Sequence, residues 1–327
     1  MRRTPATRRG FSFRMALGSG LLCLLCASAH AEPYELVDLA TPYIAFWDET
    51  QALPPAERVA AFKSRFDGLL PGFFNARRVG WMTAEQYDTA IRDSFDRFPA
   101  IRARFTATTA DFTKLLAPAH ASFARTFPDV RPIGPIYLVH SLGEFDGGTR
   151  PVAGHTRLMF GADVIAQLHD FANERPFFHH ELFHVYHAQF FAECEQMWCA
   201  LWSEGLATLA AQRLNPGASD AELLLTSPRP LRAEVDANRR AAICAVSSRL
   251  ESTDAADYAA LFSSGPPLSG LPPRVGYYVG YLLAEEAARG RSLMQLAHQK
   301  NADARATLRA AMTRLARCPA DSRSAEP

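Results

Sequence analysis

The residues best suited to chemistry lie in one run, His179-His180-Glu181-Leu182-Phe183-His184, which contains the pattern H-E-x-x-H. On a helix, side chains four positions apart share a face, so His180 and His184 can direct ring nitrogens at a single metal ion. Glu181 then lies beside that ion, where it can deprotonate a bound water. The spacing predicts two zinc ligands and a general base, the chemistry of a metallopeptidase.

The stretch around this run has the pattern of a helix packed against a core. Pro176 suits a first helical turn, and apolar residues recur at helical spacing up to about Phe191. A catalytic zinc site keeps three protein ligands and one open position. Glu204 is the candidate third ligand, in a second apolar segment, 201–214, which Ser203 could cap. Two antiparallel helices joined by a short loop would bring the three ligands together.

Other histidines fit the metal less well. His179 lies about 100° around the helix from His180. His187 follows His184 by three residues and could compete as a ligand only if Glu204 were not one. Three further histidines have no partner at a ligand spacing, and we expect structural or surface roles for them: His140, His155 and His169.

The chain resembles the gluzincin metallopeptidases, in which a glutamate on the next helix follows H-E-x-x-H. It is more closely similar to a bacterial family of predicted zinc-dependent proteases, a domain of unknown function. That family carries E-G-L-A on the second helix, here Glu204 to Ala207, and a later G-Y-x-x-G-Y, here Gly276 to Tyr281. The resemblance covers roughly residues 130–290 and implies a zincin-like hydrolase fold, without naming a substrate.

The resemblance also suggests which groups meet the substrate. A phenol can donate to the oxyanion formed during attack on a carbonyl. Tyr277 is the first candidate and Tyr281 the second, because both share a helix face; the alternative for both is core packing beside glycines that permit close helix approach. The strand predicted at 156–160 would hold an extended peptide, unless it is an interior hairpin. Arg274 could bind a substrate carboxylate or pair with an acid in the core.

The remaining pattern predicts an α+β fold that is predominantly helical, with a small β element before the H-E-x-x-H helix. We expect an N-terminal helical region at 32–130, a catalytic domain at 131–318 and a disordered tail at 319–327. The predicted helices cover 56–70, a stretch capped by Thr83 that runs to Phe98, about 101–126 with a break or kink at Pro118, and about 302–317. The predicted strands cover 135–140 and 156–160, with a Gly-rich loop at 143–154 between them, and a further loop covers 263–273.

The N-terminus has the features of an export signal. Five arginines precede the apolar stretch Met15 to Ala29, and Ala29-His30-Ala31 offers a cleavage site, so we predict a signal peptide at 1–31 and a periplasmic or secreted chain. The run Thr7 to Phe11 also resembles a twin-arginine signal; an ordinary secretory signal is the alternative. Beyond it, no run of the sequence is long and apolar enough to predict a membrane span.

The mature chain would hold 30 basic and 34 acidic side chains, a net charge of −4. No basic stripe or aromatic and basic alternation appears, which disfavours nucleic-acid binding. Export permits two disulfides, for which we expect Cys194 with Cys199 and Cys244 with Cys318; zinc binding by these cysteines is the rival interpretation.

Together these patterns predict an exported peptidase with one Zn²⁺, acting on a peptide or protein substrate. The alternative is a non-catalytic binding or assembly protein that keeps the zinc for stability. Glu181 argues against it, because a structural site needs no base beside the ion. An open groove beside the metal would favour the enzyme.

Overall fold

The structure is a computed structural model that describes residues 34–80, 82–132, 134–170, 173–192, 194–263 and 265–318. The sequence predictions for residues 1–31 and 319–327 concern segments outside these residues. The described chain is α+β and mostly helical, as the sequence predicts. Its strands are β1 (Leu36–Asp38), β2 (Ile136–Val139), β3 (Gly147–Val152) and β4 (His155–Gly161). Its helices are α1 (Ala40–Thr50), α2 (Pro55–Leu69), α3 (Ala76–Val79), α4 (Ala84–Thr126), α5 (Ala162–Leu168), α6 (Arg175–His187), α7 (Met197–Leu214), α8 (Leu231–Ala237), α9 (Arg239–Ser247), α10 (Ala255–Phe262), α11 (Val275–Ala287), α12 (Leu293–Ala297) and α13 (Asn301–Leu315).

The four strands form one mixed sheet in the order β1-β2-β4-β3. β1, β2 and β4 run parallel, and β3 is antiparallel to β4, with Thr149 opposite Leu158. The sequence predicted β2 and β4, but it assigned β3 to a Gly-rich loop and missed β1. The expectation that the 156–160 strand offers its edge to a peptide is wrong, because β2 and β3 pair with both sides of β4. The outermost strand beside the H-E-x-x-H helix is β3.

Residues on both sides of position 130 share this sheet, because β1 comes from the N-terminal part and pairs with β2. The long helix α4 packs against α5 and α6. All described residues belong to one compact unit.

Helix α4 is a single helix of 43 residues in which Thr83 and Gln86 form the predicted capping box. The predicted interruptions after Phe98 and at Pro118 are wrong: the helix continues through both Pro99 and Pro118. An interior proline costs about 3 kcal/mol. A buried apolar stripe offsets this cost; it includes Phe95, Phe98, Phe105, Phe112, Leu116 and Phe123.

Three helices build the centre of the molecule, with α7 packed against α6 on one side and α11 on the other. The contact between α7 and α11 depends on two glycines that face each other. A Cβ on Gly205 would lie 2.3 Å from the carbonyl oxygen of Gly280, and a Cβ on Gly280 would lie 2.7 Å from that of Leu201. The glycines of E-G-L-A and G-Y-x-x-G-Y therefore bring two backbones into contact.

Two disulfides hold the regions around this centre. Cys194 is bonded to Cys199, and Cys244 to Cys318, as the sequence predicts. No cysteine of these pairs is available as a thiolate ligand, so the rival interpretation of a cysteine zinc site is wrong. Such bonds fit an exported protein. Among the described residues no helix is long and apolar enough to cross a membrane.

Candidate metal centre

The three predicted ligands converge on one point. The Nε2 atoms of His180 and His184 lie 3.0 Å apart. One oxygen of Glu204, Oε2, lies 3.2 Å from the first and 3.3 Å from the second. Two neighbouring turns of α6 supply the histidines and α7 supplies the glutamate. Among the described residues, His180, His184 and Glu204 form a group whose ligand atoms lie close enough together to hold one metal ion.

The donor set fits a small divalent cation. Ligand atoms about 2.0–2.1 Å from a tetrahedral zinc lie about 3.3 Å from one another, close to the observed separations. Burial acts to raise the pKa of Glu204, but the neighbouring His184 and His180 outweigh it and lower the pKa overall. Glu204 is therefore a carboxylate at neutral pH, the form that a cation requires.

Glu181 lies beside this group, and its carboxyl group has different surroundings from that of Glu204. Its side chain is buried, and its Oε2 has no hydrogen-bond partner among the described residues. Burial raises the pKa of this carboxyl, while His180 and His184 act in the opposite direction. Gly147 of β3 passes directly over it, since a Cβ there would lie 2.8 Å from its Cγ and Cδ atoms. An unpartnered buried acid with a raised pKa is suited to take up a proton.

A cavity of about 750 Å³ opens beside the group. Its walls include the start of β3 at Gly147 to Arg150, the disulfide-bonded Cys194 before α7 and Cys199 in its first turn, and Tyr258 of α10. Tyr277 of α11 also lines it, with its ring 6.5 Å from that of His180. Burial raises the pKa of the Tyr277 phenol well above its usual value, so the phenol remains a hydrogen-bond donor.

The structure does not bring Tyr281 to this cavity. Its hydroxyl donates to Glu285 at 3.0 Å, and its ring lies against Tyr278 at 5.8 Å. The guanidinium of Arg232, from α8, lies over both rings. Tyr277 is therefore the one predicted tyrosine that faces the metal group.

The other histidines have the following surroundings. His179 is buried and hydrogen-bonds with Ser122 and Asn215. His187 lines the cavity but is not part of the metal group; its ring stacks on Phe191. His140 is buried against Tyr43, and His155 is exposed.

Ser203 has a role that the sequence analysis missed. Helix α7 begins at Met197, so Ser203 lies inside the helix, and the predicted capping role is wrong. Its hydroxyl lies 3.3 Å from Nδ1 of His184. With the proton of His184 on Nδ1 and donated to this oxygen, Nε2 presents its lone pair to a metal. The signal available in the sequence was only the position of Ser203 next to Glu204.

We expect Ser203→Ala to lower metal affinity by about 10–100-fold, because the ring of His184 loses the partner that orients it. Competition with a chromogenic chelator measures this. Ser122→Ala is the matched control, since it removes a hydroxyl 2.8 Å from His179, which is not a ligand. Equal affinities of the native chain and Ser203→Ala would contradict the role.

A second missed feature is an ionic cluster around the buried His169, in which Asp146 lines the cavity. His169 lies between Asp146, whose Oδ2 is 3.2 Å from its Nε2, and Glu174, whose Oε2 is 2.8 Å from its Nδ1. Asp146 also accepts from the backbone nitrogen of Gly147 at 2.8 Å. The cluster therefore fixes the start of β3 above Glu181. Asp146 lies 23 residues before His169, and the three residues carry no recognisable spacing.

This cluster makes stability depend on pH. Burial acts to lower the pKa of His169, but hydrogen bonds to Asp146 and Glu174 outweigh it and raise the pKa from 6.5 to about 9. The pKa of His169 is higher in the folded chain than in the unfolded chain. Its contribution to the free energy of unfolding is therefore complete below the unfolded pKa and is lost as the pH rises through the folded pKa.

We expect the stability difference between the native chain and His169→Gln to shrink by roughly 3 kcal/mol between about pH 6 and pH 10. Denaturant unfolding at the two pH values measures it, with the exposed His155→Gln as control. A difference that stays constant or grows with pH would contradict this assignment.

Comparison of the chain with protein-family models, with curated proteins and with solved structures gives no match.

Proposed function

We propose that this chain is an exported, gluzincin-type zinc metallopeptidase. The observation that carries the proposal is the convergence of His180, His184 and Glu204 beside the buried, unpartnered carboxyl of Glu181. A site that only stabilises a fold has no use for such an acid. The cavity next to the group supports an enzyme over a binding protein, because it leaves room for a substrate.

The three ligands would hold one Zn²⁺ through two imidazole nitrogens and one carboxylate oxygen. When bound, zinc acts as a Lewis acid that lowers the pKa of water and polarises a carbonyl group.

Glu181 would act as general base and then general acid. Its carboxylate would receive a proton from the attacking water and later deliver it to the amide nitrogen of the leaving group. Burial raises its pKa, which favours the protonated form needed for the second step. The carbonyl oxygen gains negative charge during attack, and the hydroxyl of Tyr277 would donate to it.

The substrate backbone would lie along β3. This strand is outermost in the sheet, and its first residues line the cavity. No described strand pairs with its second edge. The nitrogen of Gly147 already donates to Asp146 and the oxygen of Thr149 accepts from Arg150, so the other backbone groups of this edge would bind an extended peptide. Asp146, which is bonded to His169 and to the backbone of Gly147, would fix the distance between this edge and Glu181.

The test is cleavage of a mixed peptide library by the purified chain, followed by mass spectrometry. We expect cleavage that a chelator abolishes and added zinc restores. Zinc-loaded protein that binds peptides without cleaving them would favour the non-catalytic binding protein instead.

A further inference from the structure

Arg274 is the cavity-lining arginine without an acidic partner among the described residues. It precedes the first turn of α11, and one of its nitrogens donates to the backbone oxygen of Ser227 at 2.9 Å. Its guanidinium lies over the ring of Tyr277, 4.6 Å from the ring centre. No described carboxylate lies within ion-pair distance of it. The sequence left open whether this arginine pairs with a core acid, and the structure shows no such pair for the described residues.

The acids of the cavity wall already have other partners or another role. Glu144 pairs with Arg78 and with Arg150. Asp146 is bonded to His169, and Glu204 to the two metal-site histidines. Glu181 is the base of the proposed function. The guanidinium of Arg274 is therefore a positive charge in the cavity that forms no ion pair with a described wall carboxylate, although it acts on Asp146 from a longer distance.

The backbone fixes this charge in place. Arg274 has φ 61° and ψ 21°, a left-handed conformation that a residue with a side chain keeps only where the surrounding contacts maintain it. The bond to Ser227 and the contact with Tyr277 hold the side chain on the same wall as the proposed oxyanion donor. A planar guanidinium has five donors, of which one is used here, and its geometry matches a carboxylate.

We propose that Arg274 binds the terminal α-carboxylate of the substrate, so that the enzyme prefers peptides with a free C-terminus close to the cleaved bond. The inference rests on the proposed function. Every unmodified peptide carries this group, whereas a glutamate or aspartate side chain would offer the same chemistry at fixed sequence positions only. The cavity thus favours peptides in which only a short stretch of chain separates the scissile bond from the C-terminus.

The test is affinity selection on zinc-loaded Glu181→Gln protein, which is expected to bind without cleaving. The probe is a hexapeptide library in two matched forms, free acid and C-terminal amide, with retained peptides counted by mass spectrometry. We expect free acids to be enriched about 10–100-fold over amides, the range of a charge-assisted hydrogen bond. Arg274→Gln removes the enrichment and Arg274→Lys restores part of it. Arg305→Gln is the matched control, because this arginine is paired with Glu251 away from the cavity wall, and it retains the enrichment.

Equal retention of acids and amides, or enrichment that persists in Arg274→Gln, would overturn the inference. A third arm compares amidated peptides that contain glutamate with those that contain glutamine. Enrichment in that arm alone would assign the site to an acidic side chain and overturn the terminal assignment.

Turnover by the native chain separates this inference from the proposed function. Cleavage of acids and amides at equal rates would leave the peptidase standing and reject the carboxylate site. Arginine-dependent enrichment without any cleavage would reject the peptidase and leave the carboxylate site standing.

Discussion

Glu181→Gln is expected to lower kcat/KM for peptide cleavage by about 10²–10⁴-fold, the usual contribution of a general acid and base. Glutamine has nearly the same shape but cannot take up the proton. The metal content should stay unchanged, because the ligand atoms belong to His180, His184 and Glu204. Steady-state kinetics on a cleaved library peptide, with metal analysis of the same samples, measures both.

Glu195→Gln is the control for this experiment. Glu195 is exposed in the loop between α6 and α7 and does not line the cavity, so the change removes one carboxylate without touching the buried site. Glu181→Gln protein that contains zinc and cleaves at the native rate would reject Glu181 as the base.

Gly205→Ala is expected to lower the free energy of unfolding by about 3 kcal/mol, at the upper end of the range for overpacked cores. The new Cβ would lie 2.3 Å from the carbonyl oxygen of Gly280. That atom belongs to a backbone, which cannot rotate away as a side chain can. Since α7 carries Glu204 and α11 carries Tyr277, separating the helices should also weaken metal binding. Denaturant unfolding and metal affinity measure the two effects.

Gly68→Ala is a matched control on a helix, because a Cβ at Gly68 meets no atom within 4 Å. There alanine should stabilise the chain by about 0.5–1 kcal/mol through its higher helix propensity. Native stability of Gly205→Ala would show that α7 and α11 can accommodate a methyl group between their backbones, and it would contradict this prediction.

The features that the sequence predicted correctly depend on local spacing. His180 and His184 face one point because four residues make about one helical turn. The capping box at Thr83 and the short apolar run of β2 are also local patterns. The pairing of Cys194 with Cys199 follows from a separation of five residues.

The features that it missed depend on contacts between distant segments. β3 contains two glycines and a proline, and pairing with β4 makes it a strand despite that composition. Pro99 and Pro118 remain in one helix because buried phenylalanines offset their cost. Tyr281 shares a helix face with Tyr277, yet Arg232 from another helix lies over its ring. None of these partners can be identified from spacing along the chain.

Metal content of the purified native chain, measured beside Glu181→Gln and Glu204→Gln, tests the central claim most directly. One zinc per chain is expected in the native protein and in Glu181→Gln, and a clear loss in Glu204→Gln, since only the last change replaces a charged carboxylate ligand by a neutral amide. A native chain without metal, or equal zinc in all three proteins, would contradict the assignment of the metal centre.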